Sequence, residues 1–252
     1  MKQLLLFILF VIRSVLDPFL HFREVSILCY HSISDNQSDT SVSESRLEAH
    51  IKILKNAGYS FVSLEQVFAW FSKDVPFPQK AVALTFDDGY VDFKTTTLPI
   101  LEKYNTPATL FIVGDREQYR LNFGTDIAML SDVDVAELEK HPLVSLGWHT
   151  KTHPNLAIFP KEGMAQEIIP PAPMNFFAYP GGNYSETAIN VVQNAGFSAA
   201  FSIKRDLVIR GKSRWLLPRI VILKRDSPSS VLRYVSMAHH WYRTVRYRIL
   251  SL

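Results

Sequence analysis

Adjacent carboxylates repel one another, so a chain that places two at the end of an apolar strand needs something to offset the repulsion. Residues 81–86 form an apolar run of strand length and composition. Asp87 and Asp88 follow at once, and Gly89 is free to take a sharp turn. Further on, Trp148-His149-Thr150-Lys151-Thr152-His153-Pro154 sets two imidazoles four residues apart, after the short apolar segment 143–146. On one helical turn, positions i and i+4 share a face, so both rings could reach one ion; Pro154 limits such a helix to a single turn. Two neutral imidazoles and one carboxylate make an open metal site in which water fills the remaining positions. The same spacing also fits a surface loop with two titrating histidines, and the pattern alone leaves both readings standing.

The elements that must position these residues alternate. Strand patterns cover 25–30, 61–62, 81–86, 108–113, 143–146, 176–179, 199–203 and 219–223. Helical patterns cover 45–57, 64–71, 97–104, 131–140 and 185–195. In the first of these Leu47, Ile51 and Leu54 keep helical spacing and Gly58 closes the run. Ser131 caps the fourth, with Asp132 and Asp134 in its first turn. Strand–helix alternation at this spacing implies an α/β fold: a mostly parallel sheet curled into a distorted (β/α) barrel. Chemistry in such barrels collects at the carboxyl ends of strands. Asp87, Asp88, His149, His153, His31 and the loop at Pro180 all fall there.

A chain of 252 residues suits one large α/β domain or two small ones and is ample for a core. A net charge of +3 is too mild to argue for nucleic acid, and no such partner is expected. The single cysteine, Cys29, excludes an intrachain disulfide framework and a cysteine-rich zinc site. Lys2 precedes the apolar run 4–12, which is short for a bilayer span and is followed by Arg13, Asp17 and Pro18. Residues 1–22 therefore read as an uncleaved membrane anchor or interfacial helix, with a signal peptide and a buried structural helix as the alternatives. Residues 23–226 form the barrel. Residues 227–252 form a basic C-terminal helix in which Arg233, Arg243, Arg246 and Arg248 interleave with aromatic residues, suited to an anionic membrane surface or to solvent. The cell envelope or a membrane surface is the expected location, with the cytoplasm as the alternative.

Three ordered stretches carry a family resemblance. Thr85-Phe86-Asp87-Asp88-Gly89-Tyr90, then His149-Thr150-Lys151-Thr152-His153-Pro154-Asn155-Leu156, then Phe177-Ala178-Tyr179-Pro180-Gly181-Gly182 resemble the motifs of the polysaccharide deacetylases of carbohydrate esterase family 4. Leu98-Pro99-Ile100-Leu101, Pro107-Ala108-Thr109-Leu110-Phe111 and Asn194-Ala195-Gly196-Phe197 support the match, which runs from about residue 26 to 223. The resemblance implies a distorted barrel, a divalent metal (zinc, with cobalt, manganese or nickel as alternatives), and hydrolysis of N-acetyl groups on an amino-sugar polysaccharide. By matched position, Asp88, His149 and His153 are the metal ligands and Asp87 the general base. Tyr179, Pro180 and Gly181 belong to the substrate side, and the Gly181 N–H serves the carbonyl oxygen.

Two departures qualify the match. Many members carry an arginine two residues before the proline of the third motif, where this chain has Ala178; Arg219, in Leu217-Pro218-Arg219-Ile220, is the candidate replacement beside Asp87. The usual late Leu-x-His motif is absent, but Leu28-Cys29-Tyr30-His31 fits it near the N-terminus. That order resembles the circularly permuted deacetylases of poly-N-acetylglucosamine and makes His31 the general acid. Amide hydrolysis needs an activated water and a protonated leaving nitrogen, which a cation with Asp87 and a histidine can supply. Phosphatases of the haloacid dehalogenase type also end a strand in two aspartates, but with a residue between them, and they have no use for the histidine pair. A glycan-binding barrel without turnover, prompted by Ala178, and a deacetylase of a lipid-linked sugar, prompted by the apolar N-terminus, are the remaining alternatives.

Overall fold

Eight strands form one sheet among the residues that the computed structural model describes, 24–73 and 75–236. They are β1 (Glu24–Tyr30), β2 (Ser60–Phe61), β3 (Lys80–Phe86), β4 (Ala108–Ile112), β5 (Val144–Trp148), β6 (Phe176–Ala178), β7 (Ala199–Phe201) and β8 (Ile220–Val221). The order is β7-β6-β5-β4-β3-β1-β8, with β2 paired to β3, and every one of these pairings is parallel. The sheet curls until its edges are linked. Leu217 N–H donates to Ala200 O and Ser202 N–H to Leu217 O, each at 2.9 Å, and a few residues later β8 pairs with β1. This is the distorted (β/α) barrel that the alternating pattern implies.

Side chains alternate along a strand, and the alternation sorts the core into two layers. Leu28, Tyr30, Val82, Leu84, Phe86 and Leu110 lie in the larger cluster beneath the helices. Val25, Ile27, Ala81, Ala83, Phe111, Phe176 and Phe201 belong to the barrel interior. A helix over Leu64–Ser72 closes the amino-terminal end of that interior with Val67 and Trp70. It starts at a reciprocal cap between Ser63 and Gln66, and Trp70 stacks on Phe77 at 4.9 Å. Each large apolar side chain buried in these layers is worth about 1.5–3 kcal/mol. Phe111 pairs in register with Gly147; a Cβ there would stand 2.5 Å from the Phe111 ring, so only glycine leaves room for it.

The helices, in chain order, are α1 (Glu44–Asn56), α2 (Leu64–Ser72), α3 (Leu98–Lys103), α4 (Arg116–Phe123), α5 (Asp132–Leu138), α6 (Lys161–Ile168), α7 (Glu186–Asn194) and α8 (Pro228–Val235). The sequence pattern did not predict α4 or α6. The helix expected over 97–104 is preceded by a π-helical turn, Phe93–Thr97, that runs straight into α3. The segment expected over 1–22 lies outside the described residues, as does the basic stretch beyond α8. Among the described residues no helix is long and apolar enough to cross a membrane. The helix α8 is tied to the barrel: Tyr59 Oη donates to Val235 O at 3.2 Å, and His50 on α1 bonds Asp226 O at 3.0 Å just before the helix.

Candidate active site

The inward parity of Val25, Ile27, Ala81 and Ala83 runs on through Cys29 and Thr85 and past the strand ends to His31 and Asp87. Tyr30 pairs with Phe86, so His31 and Asp87 leave adjacent strands at the same level, and Asp87 N–H donates to Tyr30 O at 3.0 Å. Below Asp87 lies Arg219, fully buried at 0% exposure. Its guanidinium grips the carboxylate with both arms, Nη1 to Oδ1 at 2.6 Å and Nη2 to Oδ2 at 2.8 Å. It also donates to Thr85 Oγ1 at 3.3 Å and Ser202 O at 3.4 Å, and lies 5.0 Å from the centre of the Phe111 ring. Cys29 Sγ adds a donor 3.3 Å from Asp87 Oδ2. Arg219 thus occupies the place beside Asp87 that Ala178 cannot fill. Burial works to raise the Asp87 pKa; the charge of Arg219, together with its hydrogen bonds to the carboxylate, outweighs it and holds the carboxyl well below the usual range.

Asp88 has the opposite parity, and its φ of 77° breaks the strand. That turn brings Oδ1 to 3.6 Å from His149 Nε2 and 3.5 Å from His153 Nε2. His149 follows β5 directly, and its Nδ1–H donates to Ala178 O at 2.7 Å, which leaves Nε2 with its lone pair toward Asp88. The stretch 149–153 is a loop and not the helical turn that the i, i+4 spacing suggested. Thr150 and His153 take positive φ, 68° and 60°, and with Asp88 they are three of the four described non-glycine residues in that strained region. The two rings still meet, with centres 4.8 Å apart. Burial lowers the pKa of both imidazoles, that of His153 to about 4 with help from His149. Both are therefore neutral at pH 7, the form that binds a metal.

One observation tests the fit to a cation. Asp88 Oδ1 is buried and has no hydrogen-bond partner, an arrangement that costs a few kcal/mol unless another charge compensates it. The donor atoms of Asp88, His149 and His153 all lie within 4.8 Å of one another. Two imidazoles and a carboxylate with an open side fit a divalent transition metal. Cys29, His31 and Asp87 form a neighbouring group of the same dimension, so His31 stands beside the Asp87 carboxylate. Its Nδ1 is buried without a partner.

A cavity of about 550 Å³ opens onto this cluster. Asp88, His31, His153 and Gly181 reach its wall. One side is polar, from Ser32 to Ser41, and the other aromatic, from Tyr90, Tyr119 and Phe123. Tyr119 and Phe123 meet the His153 ring edge-on at 5.2 and 5.0 Å. Tyr179 and Pro180, expected on the substrate side, are buried and absent from the wall. The Tyr179 ring turns into the core between Phe177 and Tyr184. Sequence reasoning missed the aromatic wall because it missed α4, although Asp115 and Gly124 at its two ends are ordinary cap residues.

An ionised carboxylate, an imidazole nitrogen without a partner and a group of side chains able to hold a cation, at the mouth of a barrel, are equipment for hydrolysis. Residues 74–200, half of the chain, match the polysaccharide deacetylase family. A poly-beta-1,6-N-acetyl-D-glucosamine N-deacetylase of Staphylococcus aureus (strain MRSA252) is 28% identical over 218 residues, covering 78% of this chain and 73% of that protein. Among solved structures, the Streptococcus pyogenes deacetylase PplD, in complex with acetate, superposes with a TM-score of 0.74 at 24% identity over 84% of this chain and 98% of that one. A de-N-acetylase of Aggregatibacter actinomycetemcomitans gives 0.72 at 21% identity over 84% and 99%; these two likenesses speak to the fold. The chain belongs to the polysaccharide deacetylase family and is a hydrolase of that class.

Proposed function

We propose that this enzyme removes N-acetyl groups from a polymer of the poly-N-acetylglucosamine kind, with Asp88, His149 and His153 holding a divalent cation, zinc first and cobalt, manganese or nickel as alternatives. The observation that carries the reading is the meeting of two neutral imidazoles with an orphaned buried carboxylate oxygen, beside Asp87 and His31. The relative's substrate supports the choice of polymer.

When bound, the cation supplies a Lewis acid that acidifies a water and polarises the acetyl carbonyl. Asp87 takes the proton that the attacking water gives up. Arg219 holds Asp87 ionised and fixes the direction of its oxygens. The Gly181 N–H, at the cavity wall, donates to the carbonyl oxygen as negative charge gathers there. A protonated His31 delivers the proton that the departing nitrogen requires, because an amide anion will not leave. The products are acetate and a sugar amine, which is cationic at neutral pH. Residues 23–226 make the catalytic barrel in this reading. Residues 1–22 contact a membrane surface and hold the enzyme at the cell envelope.

The test incubates purified protein, with and without added zinc, with β-1,6-linked N-acetylglucosamine oligomers and follows loss of acetyl mass by mass spectrometry. Deacetylation that requires metal, disappears in Asp88→Asn and falls severely in His31→Ala with metal still bound supports the assignment. A zinc-loaded protein that releases no acetate from these oligomers refutes it.

A further inference from the structure

His149 and His153 converge although the loop between them is not helical, and the loop carries two positive φ values of 68° and 60°. Such a loop needs an external template, since strained backbone persists only where its surroundings over-determine it. We propose that Glu167, on α6, is the positioning residue that templates this loop and thereby sets the distance between the two ligating imidazoles. The inference rests on the metal reading given above.

Glu167 is the penultimate residue of α6 and only 7% exposed. A carboxylate this buried is costly unless its oxygens are hydrogen-bonded, and both are. Oε2 accepts from Thr152 N–H at 2.8 Å and Oε1 from Thr152 Oγ1–H at 2.8 Å. The main-chain carbonyl of Glu167 lies in the last helical turn, where carbonyls have no partner within the helix. It accepts from Lys151 N–H at 2.9 Å and from the Trp148 indole at 3.1 Å. Four donors from 148–152 thus converge on one residue. The other edge of the loop is held independently: Thr150 O and Lys151 O accept from the N–H groups of Gly114 at 3.0 Å and Asp115 at 2.6 Å. Within the loop, His153 N–H donates to Thr150 Oγ1 at 2.9 Å. Thr152, the residue immediately before His153, is the one that the Glu167 side chain grips. Glu167 does not reach the cavity wall, so it acts through the loop and not on substrate.

Loss of the grip frees Thr152 and lets the backbone leave the left-handed region, so the two Nε2 atoms are together for a smaller fraction of the time. Apparent metal affinity falls by that fraction, while a saturating metal concentration recaptures the loop.

The experiment titrates the metal-free full chain with Co²⁺ alone and follows visible absorption. Glu167→Ala is expected to weaken Co²⁺ binding about 10–100-fold, the range for partners that orient metal ligands. Thr152→Val, which removes only the hydroxyl donor, weakens it by a smaller factor. Glu167→Gln, which keeps one acceptor, falls between Glu167→Ala and wild type. Saturating Co²⁺ restores most of kcat in all three. Met164→Ala, on the same helix and buried at 1%, lowers Tm but leaves the Co²⁺ dissociation constant unchanged. Should Glu167→Ala fail to fold, Glu167→Gln and Thr152→Val carry the comparison with Met164→Ala. The proposal is overturned if the foldable Glu167 and Thr152 variants bind Co²⁺ within twofold of wild type, or if Met164→Ala weakens binding as much as they do. A wild-type chain that takes up no Co²⁺ overturns both this inference and the metal reading, whereas equal uptake by wild type and variants overturns this one alone.

Discussion

Replacing Arg219 with methionine removes the cation beneath Asp87 while keeping much of its volume. Both partners are buried in the native chain, Arg219 at 0% and Asp87 at 3% exposure, and bonds of 2.6 and 2.8 Å join them. Without the guanidinium, burial dominates, and the lower-energy form of Asp87 at neutral pH becomes the protonated acid. Keeping a carboxyl of ordinary pKa 3.8 protonated at pH 7 costs about 4 kcal/mol, at about 1.4 kcal/mol per pH unit. The folded variant then binds one more proton than its unfolded chain throughout pH 5–7, so its stability falls as pH rises. In wild type the folded pKa is depressed, both states are ionised across this window, and the group contributes no slope. The stability deficit of Arg219→Met should therefore widen from about 2 kcal/mol at pH 5 to about 4 kcal/mol at pH 7. Urea unfolding in the presence of a chelator, on wild type, Arg219→Met, Asp87→Asn and the double variant, measures it. The double variant should show a deficit that does not change with pH. A deficit for Arg219→Met that is below about 1 kcal/mol at pH 7, or constant from pH 5 to 7, would refute the reasoning, because Asp87 would then stay charged without its partner.

A second pH signature belongs to His50, whose ring bonds Tyr30 Oη at 3.1 Å and Asp226 O at 3.0 Å. Burial lowers its pKa from 6.5 to about 4. Its contribution is complete above pH 6.5 and is lost as pH falls toward 4, because the unfolded chain takes the proton first; the loss amounts to about 3 kcal/mol. Urea midpoints across this window should flatten in His50→Gln, and a profile parallel to wild type would contradict the assignment. Asp88→Asn removes the charge from an oxygen that has no partner, so the metal-free variant should gain about 1 kcal/mol of stability while losing Co²⁺ binding. Calorimetry of the chelated proteins checks the first half, and a lower metal-free Tm in the variant would count against it.

Local chemistry made much of the site readable. The aspartates lie where an apolar run ends, and parity along β1 and β3 sends His31 and Asp87 to the same interior. The partnership of Arg219 with Asp87, expected from the missing arginine at Ala178, is present as a two-armed ion pair. The stretch 149–153 takes the loop reading of the two that its spacing left open, because its positive φ values at Thr150 and His153 stand among hydrogen bonds to partners remote in sequence, such as that from Thr152 N–H to Glu167. Nothing about a lone glutamate marks it for that task. Tyr179 does not reach the cavity wall because it keeps strand parity one residue beyond β6: it shares the face of Phe177, and its ring enters the outer core layer. The helix α4 was legible in its caps but is too polar to show a clear apolar stripe, with only Tyr119 buried.

The position of β1 between β3 and β8 has a consequence for ancestry. The first and last strands of the described residues are neighbours, so the ring of functional groups is indifferent to where along the circuit the ribosome begins. A gene that moved its opening strand to its end, or the reverse, would rebuild the same mouth with a different reading order. His31 at the front of this chain faces the same mouth that a histidine carried just after a final strand in that place would face.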